Sequence, residues 1–130
     1  GRAASAGQMG QLPHRLGGNV EALTAILLLI GAHYVADFAM QNDYVAAAKA
    51  DTTRPDWFHA LTAHSAHHAV AAGIALAVLG LPWLSGCLVV GVTHWFIDYG
   101  KAVRGWYGYH IDQGLHLGIA IGVGLSVATA

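Results

Sequence analysis

The stretch "FHALTAHSAHHAVAAGIALAVLGL" (residues 58–81) carries four histidines in its first half, at 59, 64, 67 and 68, and no ionisable side chain after His68. About 20 mostly apolar residues are needed to cross the hydrocarbon core of a bilayer. The stretch therefore reads as a membrane span that is polar at one end only.

Working outward, three further stretches qualify as spans, 20–41, 83–101 and 111–129. Each is again apolar in one half, because 22–32, 69–81, 83–92 and 117–128 contain no ionisable side chain. Consecutive spans run in opposite directions, and the polar half is C-terminal in spans one and three but N-terminal in spans two and four. All four polar halves thus share one depth. The expected fold class is all-α, a polytopic membrane protein whose four transmembrane helices form a single domain over residues 20–130.

Composition agrees with a membrane setting. Of the 130 residues, 55% are hydrophobic and only 10% charged, unlike the balance of a soluble domain. The net charge of −1 gives no basic field for nucleic acid, and the single Cys87 permits no internal disulfide. Residues 1–19 show no hydrophobic period and read as a disordered lead that includes His14; residues 1–8 read as a non-native remnant, with Met9 a possible start.

The turn "GLPW" (80–83) is so short that spans two and three must form an antiparallel hairpin. Trp57, Trp83, Trp106, Tyr107 and Tyr109 fall at span ends, where amphipathic rings settle at lipid headgroups. The polar side carries Lys49, Arg54, Lys101 and Arg104, whereas the 80–83 turn is uncharged. By the positive-inside rule the polar side faces the cytoplasm and both termini lie outside, although Arg2 and Arg15 count the other way.

At helical spacing every polar half holds an i, i+4 pair: His33 and Asp37, His64 and His68, His94 and Asp98, Asp112 and His116. Residues four apart share a helix face. Each helix can therefore direct two ligating groups to one point, as bundle proteins do when they build dinuclear sites. An ionised Asp in a bilayer costs roughly 2.5–3.5 kcal/mol, so three of them call for compensation. Two divalent ions and a bridging hydroxide would neutralise Asp37, Asp98 and Asp112. The expected cofactor is accordingly a pair of divalent metal ions, zinc favoured over manganese or iron. The alternative for such groups is interhelical hydrogen bonding, His to Asp, or a proton path.

Around these eight, Gln41 and Gln113 are expected to hydrogen-bond the ligands. His67 is the candidate general base, and His59 and His110 are expected at the interface. Lys49, Lys101 and Arg104 are candidates for holding a headgroup phosphate, with snorkelling and topology as their plainer roles. "HYVADF" (33–38) and "HWFIDY" (94–99) read as copies, which predicts two duplicated helical hairpins with the site between them. Gly114, Gly118 and Gly122 form a stripe nearly opposite the Asp112 and His116 face. It is expected to pack closely within the chain or against a second copy in a homodimer.

"HYVADFAMQNDYVAAAK", "THWFIDYGK" and "DQGLH" resemble the motifs of a family of small bacterial and phage integral membrane proteins classified only as a domain of unknown function. That resemblance covers most of the chain from His33 to His116, and it implies a four-helix membrane protein without implying an activity; the expected location is the bacterial inner membrane. "GVTHWFID" and "TAHS" are more faintly similar to bacterial membrane-bound metal-dependent hydrolases. "TAHS" has one residue more than that family's motif, so only His94 and Asp98 carry over.

The leading expectation is a metal-dependent hydrolase at the cytoplasmic membrane face, acting on a lipid-linked or phosphorylated substrate. Bound metal lowers the pKa of its water to about 7, and two ions can clamp attacking and leaving oxygens. The H-x2-H-H spacing of "HSAHH" offers a di-iron oxidase or hydroxylase as an alternative. A non-enzymatic metal or proton carrier, or a membrane partner protein, is the third.

Overall fold

The computed structural model describes residues 14–129, and side chains from Gly17 onward. The expectation of a non-native remnant at residues 1–8, with the possible start at Met9, lies outside the described residues. Among those described there are five α-helices and no strand: α1 (His14–Tyr34), α2 (Asp43–Ala50), α3 (Trp57–Val78), α4 (Trp83–Asp98) and α5 (Tyr109–Val127). The first helix begins at His14, so helix replaces the last part of the lead expected to reach residue 19.

The four long helices form a ring of neighbours, α1 on α3, α3 on α4, α4 on α5 and α5 back on α1, with the α3–α4 hairpin the most extensively packed. The hairpin turn is a Schellman cap. Leu81 N–H donates to the Leu76 carbonyl (3.0 Å) and Gly80 N–H to that of Ala77 (3.0 Å), with Gly80 at φ +70°. Pro82 follows and cannot prolong the helix. Leu81 and Leu76 then join the buried cluster of Ala25, Leu29, Ala72, Ala120, Val123 and Val127, which fills the apolar half of the bundle.

Two helical stretches, Gly17–Ala39 and Trp57–Val78, are long and apolar enough to cross a membrane. Large apolar side chains on the outer faces of all four long helices are exposed, among them Leu27, Ile74, Leu88 and Leu125, while the inner faces of the polar halves hold His and Asp. This is the reverse of a soluble bundle.

Three features were not anticipated. The span carrying each copied motif widens into one turn of π-helix, Val35–Ala39 after α1 and Tyr99–Val103 after α4. Met40 N–H reaches the Val35 carbonyl at 3.1 Å and Arg104 N–H that of Tyr99 at 3.1 Å, five residues back. Such turns occur frequently at functional sites. The second is braced by Tyr107, whose hydroxyl donates to the Ile97 carbonyl at 2.5 Å. A Cβ on Gly100 would lie 2.6 Å from that hydroxyl, so any side chain there would have to displace the brace.

The first polar connection also folds. Asn42 caps α2 by accepting the Val45 N–H at 2.9 Å, and α2 packs on α3 and on the second π-turn. Beyond it Arg54 grips Asp56 with two nitrogens, at 3.0 and 3.1 Å, and the Tyr44 hydroxyl donates to the same carboxylate. The guanidinium and the hydroxyl hold the Asp56 carboxyl well below the usual carboxylate range.

The glycine stripe corrects the expectation of close packing within the chain. A Cβ at Gly114, Gly118 or Gly122 would meet nothing within 4 Å. The glycine of α5 that admits close approach is Gly124, where a Cβ would stand 2.5 Å from Ile26 Cγ1 and 3.0 Å from its backbone nitrogen. Helix rotation decides this: two residues further on, the chain turns to the opposite face, toward α1.

Candidate metal centre

Each long helix delivers its pair to the bundle interior. His33 and the π-turn residue Asp37 come from the end of α1, His64 and His68 from the first half of α3, His94 and Asp98 from the end of α4, and Asp112 and His116 from the start of α5. Seven of the eight are buried, and Asp37 is half-buried.

Their ligating atoms converge. Asp37, His64, His68 and His94 form one group, His33, His94 and His116 a second, and Asp98, Asp112 and His116 a third. Within each, the ligand atoms lie within 4.8 Å of one another, and His94 and His116 link the groups into one cluster. All eight residues expected from the i, i+4 pairs are in it. The imidazoles are tightly stacked, with ring centroids 3.5 Å apart for His68 and His94 and 4.1 Å for His94 and His116. A cavity of about 20 Å³ lies against His33, His68, His94 and His116, large enough for one water or ion.

Many of the N···O separations are close without being hydrogen bonds. His64 Nε2 and His68 Nε2 stand 3.4 and 3.3 Å from Asp37 Oδ1, His94 Nε2 3.5 Å from Asp98 Oδ1, and His116 Nε2 3.5 Å from Asp112 Oδ1. The Nε2 atoms of His64, His68 and His94 and the Oδ1 atom of Asp112 are buried without a hydrogen-bond partner, as are the Nδ1 atoms of His64 and His68. Buried polar groups are rarely left so, and a bound ion is one of the standard reasons.

A family model described as "Protein of unknown function (DUF3307)" matches residues 24–130 and so includes all eight residues. The chain belongs to this family. Neither a curated protein nor a solved structure matches it.

In this DUF3307 chain Gln113 is hydrogen-bonded to members of the cluster. Its amide donates to Asp37 Oδ2 at 2.9 Å and to Asp112 Oδ2 at 3.3 Å, and its carbonyl oxygen faces His33 Nε2 at 3.2 Å. Gln41 makes no such bond, and its buried Oε1 is without a partner. His67 is half-buried and stands outside the three groups, as do the exposed His59 and His110.

The two lysines are engaged with carboxylates of the cluster. Lys49, reaching in from α2, lies 2.5 Å from Asp98 Oδ2, and Lys101, on the second π-turn, 2.7 Å from Asp112 Oδ2. Arg104 is exposed over the Trp106 ring at 5.6 Å, away from the cluster. Sequence spacing placed Lys101 near Asp98. Its actual partner, 11 residues further along and on another helix, carried no sequence signal.

Proposed function

We propose that this chain is a membrane-embedded metal-binding protein, with four membrane spans and a divalent metal centre toward the cytoplasmic face of a bacterial inner membrane, and that it is a metal-dependent hydrolase. One observation carries the metal reading: eight His and Asp side chains from four helices meet in one buried cluster, and several of their ligating atoms are without hydrogen-bond partners.

Support for four spans is the distribution of side chains. The outer faces are apolar on all four long helices, and the polar cluster faces inward at one depth. Lys49, Arg54, Lys101 and Arg104 gather at that end, which favours the cytoplasmic assignment.

Zinc suits a set of imidazole and carboxylate ligands. Held there, a divalent ion supplies Lewis acidity and lowers the pKa of a water to about 7, giving a nucleophile at neutral pH. The protein's own part is to fix the ligands, through Gln113 for His33 and Asp37 and through the π-turns for the two copied motifs. The substrate class is a lipid-linked phosphate or ester brought to the cytoplasmic surface. Hydrolysis is preferred to di-iron oxidation because His67, the middle histidine of the H-x2-H-H box, stays out of the cluster.

The test is hydrolysis of phosphate- and ester-linked lipids in mixed micelles, before and after chelation. Turnover abolished by chelator, restored by zinc and absent in His94→Ala is the expected result. Metal-loaded protein that hydrolyses no substrate of either class would set the hydrolase aside and leave the metal site.

A further inference from the structure

The eight clustered residues are not equivalent. In the group of Asp37, His64, His68 and His94, all three imidazole Nε2 atoms are buried and unpartnered, and two of them face the same oxygen, Asp37 Oδ1, at 3.4 and 3.3 Å. With zinc–nitrogen bonds of about 2.0–2.1 Å, the edge of a tetrahedral site is roughly 3.3 Å. The two separations to Asp37 match that edge, and His94 lies within 4.8 Å of the other three donors.

The other four residues are largely engaged already. Asp98 Oδ2 takes the Lys49 ammonium at 2.5 Å, and Asp98 Oδ1 faces His116 Nε2 at 3.2 Å. Asp112 Oδ2 takes Lys101 at 2.7 Å, and His33 is bonded to Gln113 at 3.2 Å. Only Asp112 Oδ1 is left over on this side.

Charge points the same way. The three carboxylates and the two ammonium groups touching them leave one negative charge in the cluster. One divalent ion with one hydroxide neutralises it. A second divalent ion would leave two positive charges uncompensated where unpaired charge is costly.

We infer that the centre holds a single divalent ion, bound by Asp37, His64, His68 and His94, and that the ammonium groups of Lys49 and Lys101 stand in for a second cation beside Asp98 and Asp112. This rests on the metal reading proposed above. It replaces the ion pair expected from the carboxylates alone, a count that left out both lysines.

The experiment uses the full chain, purified in detergent without chelator or nickel resin, loaded with excess zinc and desalted. Plasma mass spectrometry is expected to find one zinc per chain. Two per chain would overturn the inference and leave the metal reading standing, whereas none, with manganese and iron also failing to load, would remove the metal reading itself. The Lys49→Met, Lys101→Met double variant is expected to take up a second equivalent, and a double variant that stays at one overturns the role given to the lysines.

His68→Ala is expected to lose the ion and His116→Ala to keep it; equal loss from both overturns the partition. Zinc X-ray absorption on the unaltered chain needs no variant to fold. It should show a nitrogen and oxygen shell at about 2.0–2.1 Å with imidazole scattering. A metal neighbour at about 3.5–4 Å would instead establish a two-metal centre and refute the assignment.

Discussion

The rings of His68 on α3 and His94 on α4 are stacked, with centroids 3.5 Å apart and planes inclined by 21°. Neither gives the other a hydrogen bond, and both Nε2 atoms are buried without one. Each ring therefore needs a third group, and in the proposed centre that group is the metal. His94→Ala is expected to lose bound metal, while His110→Ala, altered at an exposed position on α5, retains it. Metal analysis of both variants decides, and equal retention would strike His94 from the ligand set.

Gln113 ties α5 to the end of α1, donating to Asp37, a ligand in the proposed centre, and facing His33. Groups that orient metal ligands typically contribute 10–100-fold in affinity. Gln113→Leu should weaken zinc binding by about that factor in a competition titration with a chromophoric chelator. Affinity equal to that of the unaltered chain would mean that the amide orients nothing.

The two kinds of glycine on α5 should separate in a melting experiment. At Gly124 an added side chain runs into Ile26, including its backbone nitrogen, whereas at Gly118 it meets open space. Overpacking of this sort costs about 1–3 kcal/mol. Gly124→Val is expected to lower the melting temperature in detergent and Gly118→Val to leave it nearly unchanged. Similar losses in both would contradict the packing described for α1 and α5.

Acid should loosen the α2–α3 connection only late. The Arg54 guanidinium beside Asp56 depresses that carboxyl, so the grip is complete above the ordinary carboxylate pKa of about 3.9 and is lost as pH falls through the lower folded value. Hydrogen exchange at residues 51–57, corrected for the intrinsic rate at each pH, is expected to show the same protection at pH 7 and pH 4.5. In Asp56→Asn, protection should already be reduced at pH 7. A loss between pH 7 and pH 4.5 in the unaltered chain would show that the ion pair does not control this segment.

The eight clustered residues could be read from sequence because helical spacing is rigid: two groups four apart must share a face, and four polar halves at one depth must meet. The succession of four long helices needed only apolar lengths and one short turn. The π-turns escaped because widening by one residue leaves no mark in hydrophobic periodicity. The α2 helix escaped because eight residues between polar loops are too few to display a face. The lysine pairings were hidden because Lys49 and Asp98 are 49 positions apart, and spacing cannot report a contact made across a bundle. The stripe of Gly114, Gly118 and Gly122 was visible as a pattern, but which glycines α1 touches depends on how α5 is rotated.

The placement of Lys49 bears on traffic as well as on charge. The apolar half of the bundle is filled by the aliphatic cluster around Leu76, which offers an ion in the proposed centre no polar path in that direction. Its path would then run through the polar end, where Lys49 on the short α2 helix stands against Asp98. Exchange with the surroundings would then depend on the packing of α2 against α3 as well as on the strength of the bonds to the ion.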